Sequence, residues 1–219
     1  DLGLWKEKLV FTGGAITIVA AIMNSINGFS YVYSRKKVDF YHSLPVKRSR
    51  MFWNRVYTGL LYYLVPYMIM EFFAVCIGAA KGFFSLKLME LAARLLLVHL
   101  LLYFLFYFSI VLVFCVTGNF LMGVLCLAGM QLYGPALGIL MSFCAYGFFD
   151  TFSSNYPYGI FKALEDYASP ITLTAAFWQK YEAGQGAALA AVLFVLTLIF
   201  TAVSYFAYIH RPSEAAGIG

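Results

Sequence analysis

Glu71 and His99 are ionisable residues set inside long apolar runs, where a charge is costly and a polar group needs a partner. Glu71 lies ten residues before Lys81, about 15 Å along a helix, and His99 lies nine residues after Glu90. The two fall at similar depth on neighbouring runs, so the spacing predicts that they face one another. Such a pair has two possible roles: a hydrogen bond that holds two helices together, or a place on a transport path. Asn24, Asn27 and Gln131 are neutral polar residues in the same surroundings and read as interhelical hydrogen-bonding groups before substrate ligands. No catalytic constellation accompanies them. His42, His99 and His210 are scattered, with neither a His-Glu-x-x-His motif nor paired carboxylates. Cys76, Cys115, Cys126 and Cys144 lie in apolar runs without metal-ligand spacing and read as buried free thiols; no metal site is expected.

A second concentration of chemistry is basic. Segment 35–50 together with Arg55 carries seven of the fifteen Lys and Arg residues. Beside apolar spans such residues are retained on the cytoplasmic side, so the segment is first an orientation signal. Phe40, Tyr41 and Leu44 interrupt the charges, which suggests a folded element built to touch something. Residues 36–43 can form about two helical turns. Pro45 disfavours helix at Leu44, so the turn should stop there. Ser43 is then a candidate N-cap for the next helix, with Pro45 tolerated in its first turn.

The elements that must position these groups follow from composition. The chain is 63% hydrophobic and 11% charged, where a soluble domain carries about 25% charged residues. The apolar runs are continuous rather than alternating, which excludes a transmembrane barrel and predicts an all-α polytopic membrane bundle. Five spans are expected at about 9–33, 56–79, 91–116, 120–149 and 187–209, with kinks at Pro66 and within Gly134-Pro-Ala-Leu-Gly138.

With 35–50 inside, alternation places 150–186 outside and the tail from His210 inside. The inside then holds eight basic residues against two acids, and the outside seven against seven. The basic excess is all on one side and implies no nucleic-acid partner. Five spans with an external start imply a further span before Asp1, six in the intact unit. The apolar external stretch 150–186 predicts two short interfacial or re-entrant helices, one around Phe161–Ala168 and one starting at Ser169-Pro170 and ending near Lys180.

The run Arg35-Lys-Lys-Val-Asp-Phe-Tyr-His-Ser-Leu-Pro-Val-Lys-Arg48, leading into a span, resembles the first intracellular loop of bacterial ATP-binding-cassette (ABC) exporter permeases of the type-2 class. The tail Arg211-Pro-Ser-Glu-Ala-Ala-Gly217 is similar to the exit of their sixth span, and 150–186 falls where that family has two short external helices. The motif likeness covers about twenty residues of the loop plus the tail; the topological likeness covers nearly the whole chain, as a single permease domain lacking the family's first span. The resemblance implies a permease subunit in the bacterial cell membrane that pairs with a second permease subunit, identical or not. It implies a separate ABC ATPase subunit that binds ATP and Mg, because no Gly-x-x-x-x-Gly-Lys-Ser/Thr loop occurs in this chain. It makes 35–50 a coupling segment, with Phe40, Tyr41 and Leu44 packing into the ATPase and Lys36, Asp39, Lys47 and Arg48 contacting its rim. The chain itself would not be an enzyme, and a hydrophobic or amphipathic substrate would suit so apolar a bundle. The rival readings are a non-transporting scaffold or sensor that holds a cytoplasmic partner or anionic lipid, and an integral membrane enzyme.

Overall fold

A computed structural model describes residues 2–80, 86–148, 163, 166–182 and 186–212. Among these, all regular structure is helical. The order is α1 (Leu2–Phe29), a 3-10 turn (Ser30–Tyr33), α2 (Arg35–Ser43), α3 (Arg48–Ala80), α4 (Leu86–Val116), α5 (Phe120–Phe148), α6 (Pro170–Glu182) and α7 (Ala187–His210). Five helices, α1, α3, α4, α5 and α7, are long and apolar enough to cross a membrane, as their apolar runs require. The helix expected around Phe161–Ala168, residues 81–85 and residues 213–219 lie outside the described residues or largely so.

Local chemistry accounts for the helix ends. Leu44 adopts an extended backbone (φ −71°, ψ 140°), as the residue before proline must, and α2 stops at Ser43. Here the expectation for the next helix is corrected. Ser43 closes α2 instead of capping α3, and its hydroxyl donates back to the Phe40 carbonyl at 2.7 Å. Residues 44–47 stay non-helical and α3 begins only at Arg48. Asn119 caps α5 by accepting a bond from the Leu121 amide at 3.1 Å. Ser169-Pro170 opens α6 as expected, proline tolerating the first turn because its missing N–H would have no helical partner there. α3 runs through Pro66 and α5 through Pro135 as single helices.

The chain divides into two compact units, Asp1–Gly123 with Leu196–Gly219, and Val124–Val195. In the first, α4 is the core helix: 61% of its apolar window is buried, against 6% for α3. Leu102, Tyr103, Leu105, Tyr107, Ile110, Val111 and Phe114 are all fully enclosed. α1 packs along α4 and α3. The outward faces of α3, with Tyr62, Met70 and Phe72 exposed, are apolar and fit hydrocarbon surroundings. In the second unit, α6 is too short to span a bilayer at 13 residues. It buries Leu173, Ala176 and Phe177. The Tyr133 hydroxyl of α5 donates to the Ala168 carbonyl just ahead of it. Lys180 sits over the Tyr167 ring, 5.2 Å from its centre.

Of the four cysteines expected to be buried, only Cys115 is; Cys76, Cys126 and Cys144 are exposed on helix faces. In an apolar solvent a thiol is no costlier on the outer face of a helix than inside, so the apolar run alone does not determine its side.

Candidate functional site: a polar seam and an arginine clasp

Polar side chains of α1, α3 and α4 meet in a line along the first unit. The Thr17 hydroxyl pairs with the Tyr63 hydroxyl at 2.9 Å. Asn24 donates to the Gly59 carbonyl at 3.1 Å and to the Tyr103 hydroxyl at 3.2 Å, while Tyr103 donates to the same carbonyl at 2.7 Å. Ser25 donates to the Tyr107 carbonyl at 3.3 Å. Tyr63 and Tyr103 stack with ring centres 4.3 Å apart. Glycines permit the approach, since a Cβ at Gly59 would lie 2.9 Å from the Tyr107 hydroxyl and one at Gly13 would lie 2.9 Å from His99 Cε1. Hydrogen bonds of this kind between membrane helices contribute about 0.6 kcal/mol each, so the seam specifies register more than it supplies stability.

The sequence-derived polar residues distribute unevenly over this seam. Asn24 is an interhelical group, as its type and position imply. Asn27 is corrected: three residues along α1, it points to the exposed face. Three residues turn a helix by about 300°, enough to leave the stripe that Asn24, Ser25 and Gly28 occupy. His99 is buried and its Nδ1 bonds to the Tyr67 hydroxyl at 2.8 Å. It therefore reaches the expected helix, but at Tyr67, one turn before half-buried Glu71. The aromatic hydroxyl at i−4 from Glu71 is the nearer polar handle. Gln131 is half-buried on α5 in the second unit.

At the α2 end of the seam three arginines gather. Arg211 is buried, and its guanidinium donates to the carbonyls of Phe114 (2.6 Å), Cys115 (2.7 Å) and Val32 (3.3 Å). It thus covers the C-terminal carbonyls of α4 and the turn after α1, where the helix dipole favours a cation. Burial lowers the Arg211 pKa, with the nearby Cys115 and Tyr33 groups pulling it back up. Arg48 does the same for α7, donating to Ile209 (3.2 Å) and Arg211 (2.9 Å) carbonyls. Arg55 lies against two tyrosine rings, 4.7 Å from the centre of Tyr31 and 4.8 Å from that of Tyr41. Tyr31 in turn shares a 2.6 Å hydroxyl–hydroxyl bond with Tyr208 of α7. Between α2 and α7 remains a small hollow, on the scale of one water molecule, lined by Tyr31, Val38, Tyr208 and Arg211.

This arrangement sorts the residues of the basic segment. Lys36, Asp39, Phe40, Leu44 and Lys47 are exposed together, Phe40 at 61%. Tyr41 and Arg48, expected to face outward toward a partner, are used inside the protein: Tyr41 packs on Tyr31 and Arg55, and Arg48 caps α7. Buried Val38 lies on the same anchoring side. Arg55, Tyr31, Tyr208 and the folding back of Arg211 were not legible as a group, because they come from three distant stretches. The available hint was a tyrosine four residues before the basic run and another three before Arg211, each at a span end. The outward row combines apolar side chains with cations and one acid, a surface suited to an apolar hollow with an acidic rim or to anionic headgroups. Comparison of the chain with protein-family models, curated proteins and solved structures finds no match to any of them.

Proposed function

We propose that the chain is the membrane-spanning permease subunit of an ABC-type exporter, with α2 as the helix that meets a partner ATPase on the cytoplasmic side. The observation that carries this reading is α2 itself. A nine-residue helix stands apart from the span that follows, anchored by Val38 and Tyr41, and presents Lys36 and Phe40, with Leu44 and Lys47 exposed in the corner just after it. A plain orientation loop would need the charges but neither the anchor nor the exposed aromatic. The resemblance of 35–48 to the coupling segment of type-2 permeases supports the same assignment. ATP and Mg belong to the partner, and a substrate path would run between this chain and a second permease subunit.

The test is purification of the tagged full chain, co-expressed with the ATPase encoded nearest to its gene. The expected result is a stable complex whose ATP hydrolysis responds to the permease. The triple variant Lys36→Glu, Phe40→Ala, Lys47→Glu should lose that complex while keeping wild-type thermal stability, since all three side chains are exposed. Failure to form the complex, or equal capture by the variant, would overturn the reading. A scaffold role is the second reading, favoured by the seam: Thr17, Asn24, Tyr63 and Tyr103 bond to one another across three helices rather than lining a path. A complex with no ATP-dependent transport would select it.

A further inference from the structure

We infer that Arg55 is a positioning residue that locks α2 to the C-terminal end of α7 through Tyr31, so that the two move as one body. The backbone alone does not enforce this. Residues 44–47 between α2 and α3 are non-helical, and such a link transmits orientation poorly. The connection is made by side chains. Tyr31 and Tyr41 rings meet edge-on with centres 4.8 Å apart, and the Arg55 guanidinium lies within reach of both faces. This pins α2 to α3 and to the turn after α1 at one point. The Tyr31–Tyr208 bond then carries the connection to α7. There Phe52 touches both Tyr205 and Tyr208, and Ser49 pairs with the Tyr205 hydroxyl at 3.0 Å.

A cation over an aromatic face is held most strongly when desolvated, and the arrangement is directional. A displacement of α2 must therefore either drag Tyr31, and with it Tyr208, or break the Tyr31–Tyr41–Arg55 cluster. The Arg48 and Arg211 bonds to helix-end carbonyls hold the receiving end of α7 stiff. In the permease reading, on which the functional meaning of this lock rests, it is the route by which a push on α2 reaches α7.

Spin-label distances measure the lock without any ATPase. In the full chain reconstituted in lipid nanodiscs, with the four cysteines replaced by serine, labels go on Phe40→Cys of α2 and Phe206→Cys of α7. A second pair joins Phe40→Cys to Tyr57→Cys of α3. The expected wild-type result is one narrow distance for each pair. Arg55→Met, similar in bulk but uncharged, should lose both narrow distances, and Arg55→Lys should restore them. Tyr31→Phe keeps the ring contacts and removes the hydroxyl bond, so it should broaden the α2–α7 distance more than the α2–α3 distance. Unchanged distances in Arg55→Met, or equal broadening in Met and Lys variants, would overturn the inference. Because these readouts need no partner, failure of the ATPase complex leaves the lock standing, and failure of the lock leaves the complex test intact.

Discussion

Gly59 faces the Tyr107 ring so closely that an added methyl would lie 2.9 Å from its hydroxyl and 3.0 Å from a ring carbon. Tyr107 is fully buried and stacked on Tyr103, so it cannot swing aside. Gly59→Ala should therefore cost about 1–3 kcal/mol, the usual range for overpacking a tight core. Thermal unfolding in detergent reads this directly, and an unchanged midpoint would mean that α1, α3 and α4 are less tightly packed than described. Adding Tyr107→Phe should recover part of the loss, because the nearest clashing atom is removed. At this scale the sequence was only partly informative. Asn24 could be recognised from a polar side chain in an apolar run. Its acceptor could not, because the Gly59 carbonyl is a backbone group made available by close helix approach rather than by residue type.

Among the elements, α2 shows how one proline separates two helices. Pro45 holds Leu44 extended, so the helix that carries the exposed row ends before the helix that enters the membrane begins. Pro45→Ala would let residues 44–47 close further helical turns, each added residue rotating α2 by about 100° about the axis of α3. The expected outcome is slowed amide exchange at 44–47 and, on the proposed permease function, loss of ATPase capture, although Lys36, Phe40 and Lys47 are untouched. Fast exchange at those amides in the variant would show that the corner does not depend on the proline. The stop of α2 was legible because the restriction before proline is local. The start of α3 was not: Ser43 suits a cap by type, but its hydroxyl is already committed to the Phe40 carbonyl one turn back.

On the scale of the whole molecule, the five long helices could be read from apolar length alone, while their partners could not. Hydropathy states that a helix sits in hydrocarbon but not which face meets another helix, because lipid and protein interior are equally apolar. That is why the core role of α4 and the outward cysteines emerge only from packing. Sidedness remains a matter of charge, and it gives a direct expectation. In sealed right-side-out vesicles of a chain otherwise free of cysteine, Lys37→Cys should be shielded from an impermeant thiol reagent and Gln179→Cys should react. The reverse pattern would invert the topology.

The buried Arg211 also places the molecule in time. The carbonyls it covers at Phe114 and Cys115 are made 96 or 97 residues earlier. At about 5–20 residues per second, a ribosome needs roughly 5–20 s to close that gap. During this interval the carbonyls of Phe114 and Cys115 have been made but the guanidinium that covers them has not. The first unit is thus completed only when the segment that ends α7 has been made, and a nascent chain that stops short of Arg211 leaves these carbonyls without its guanidinium.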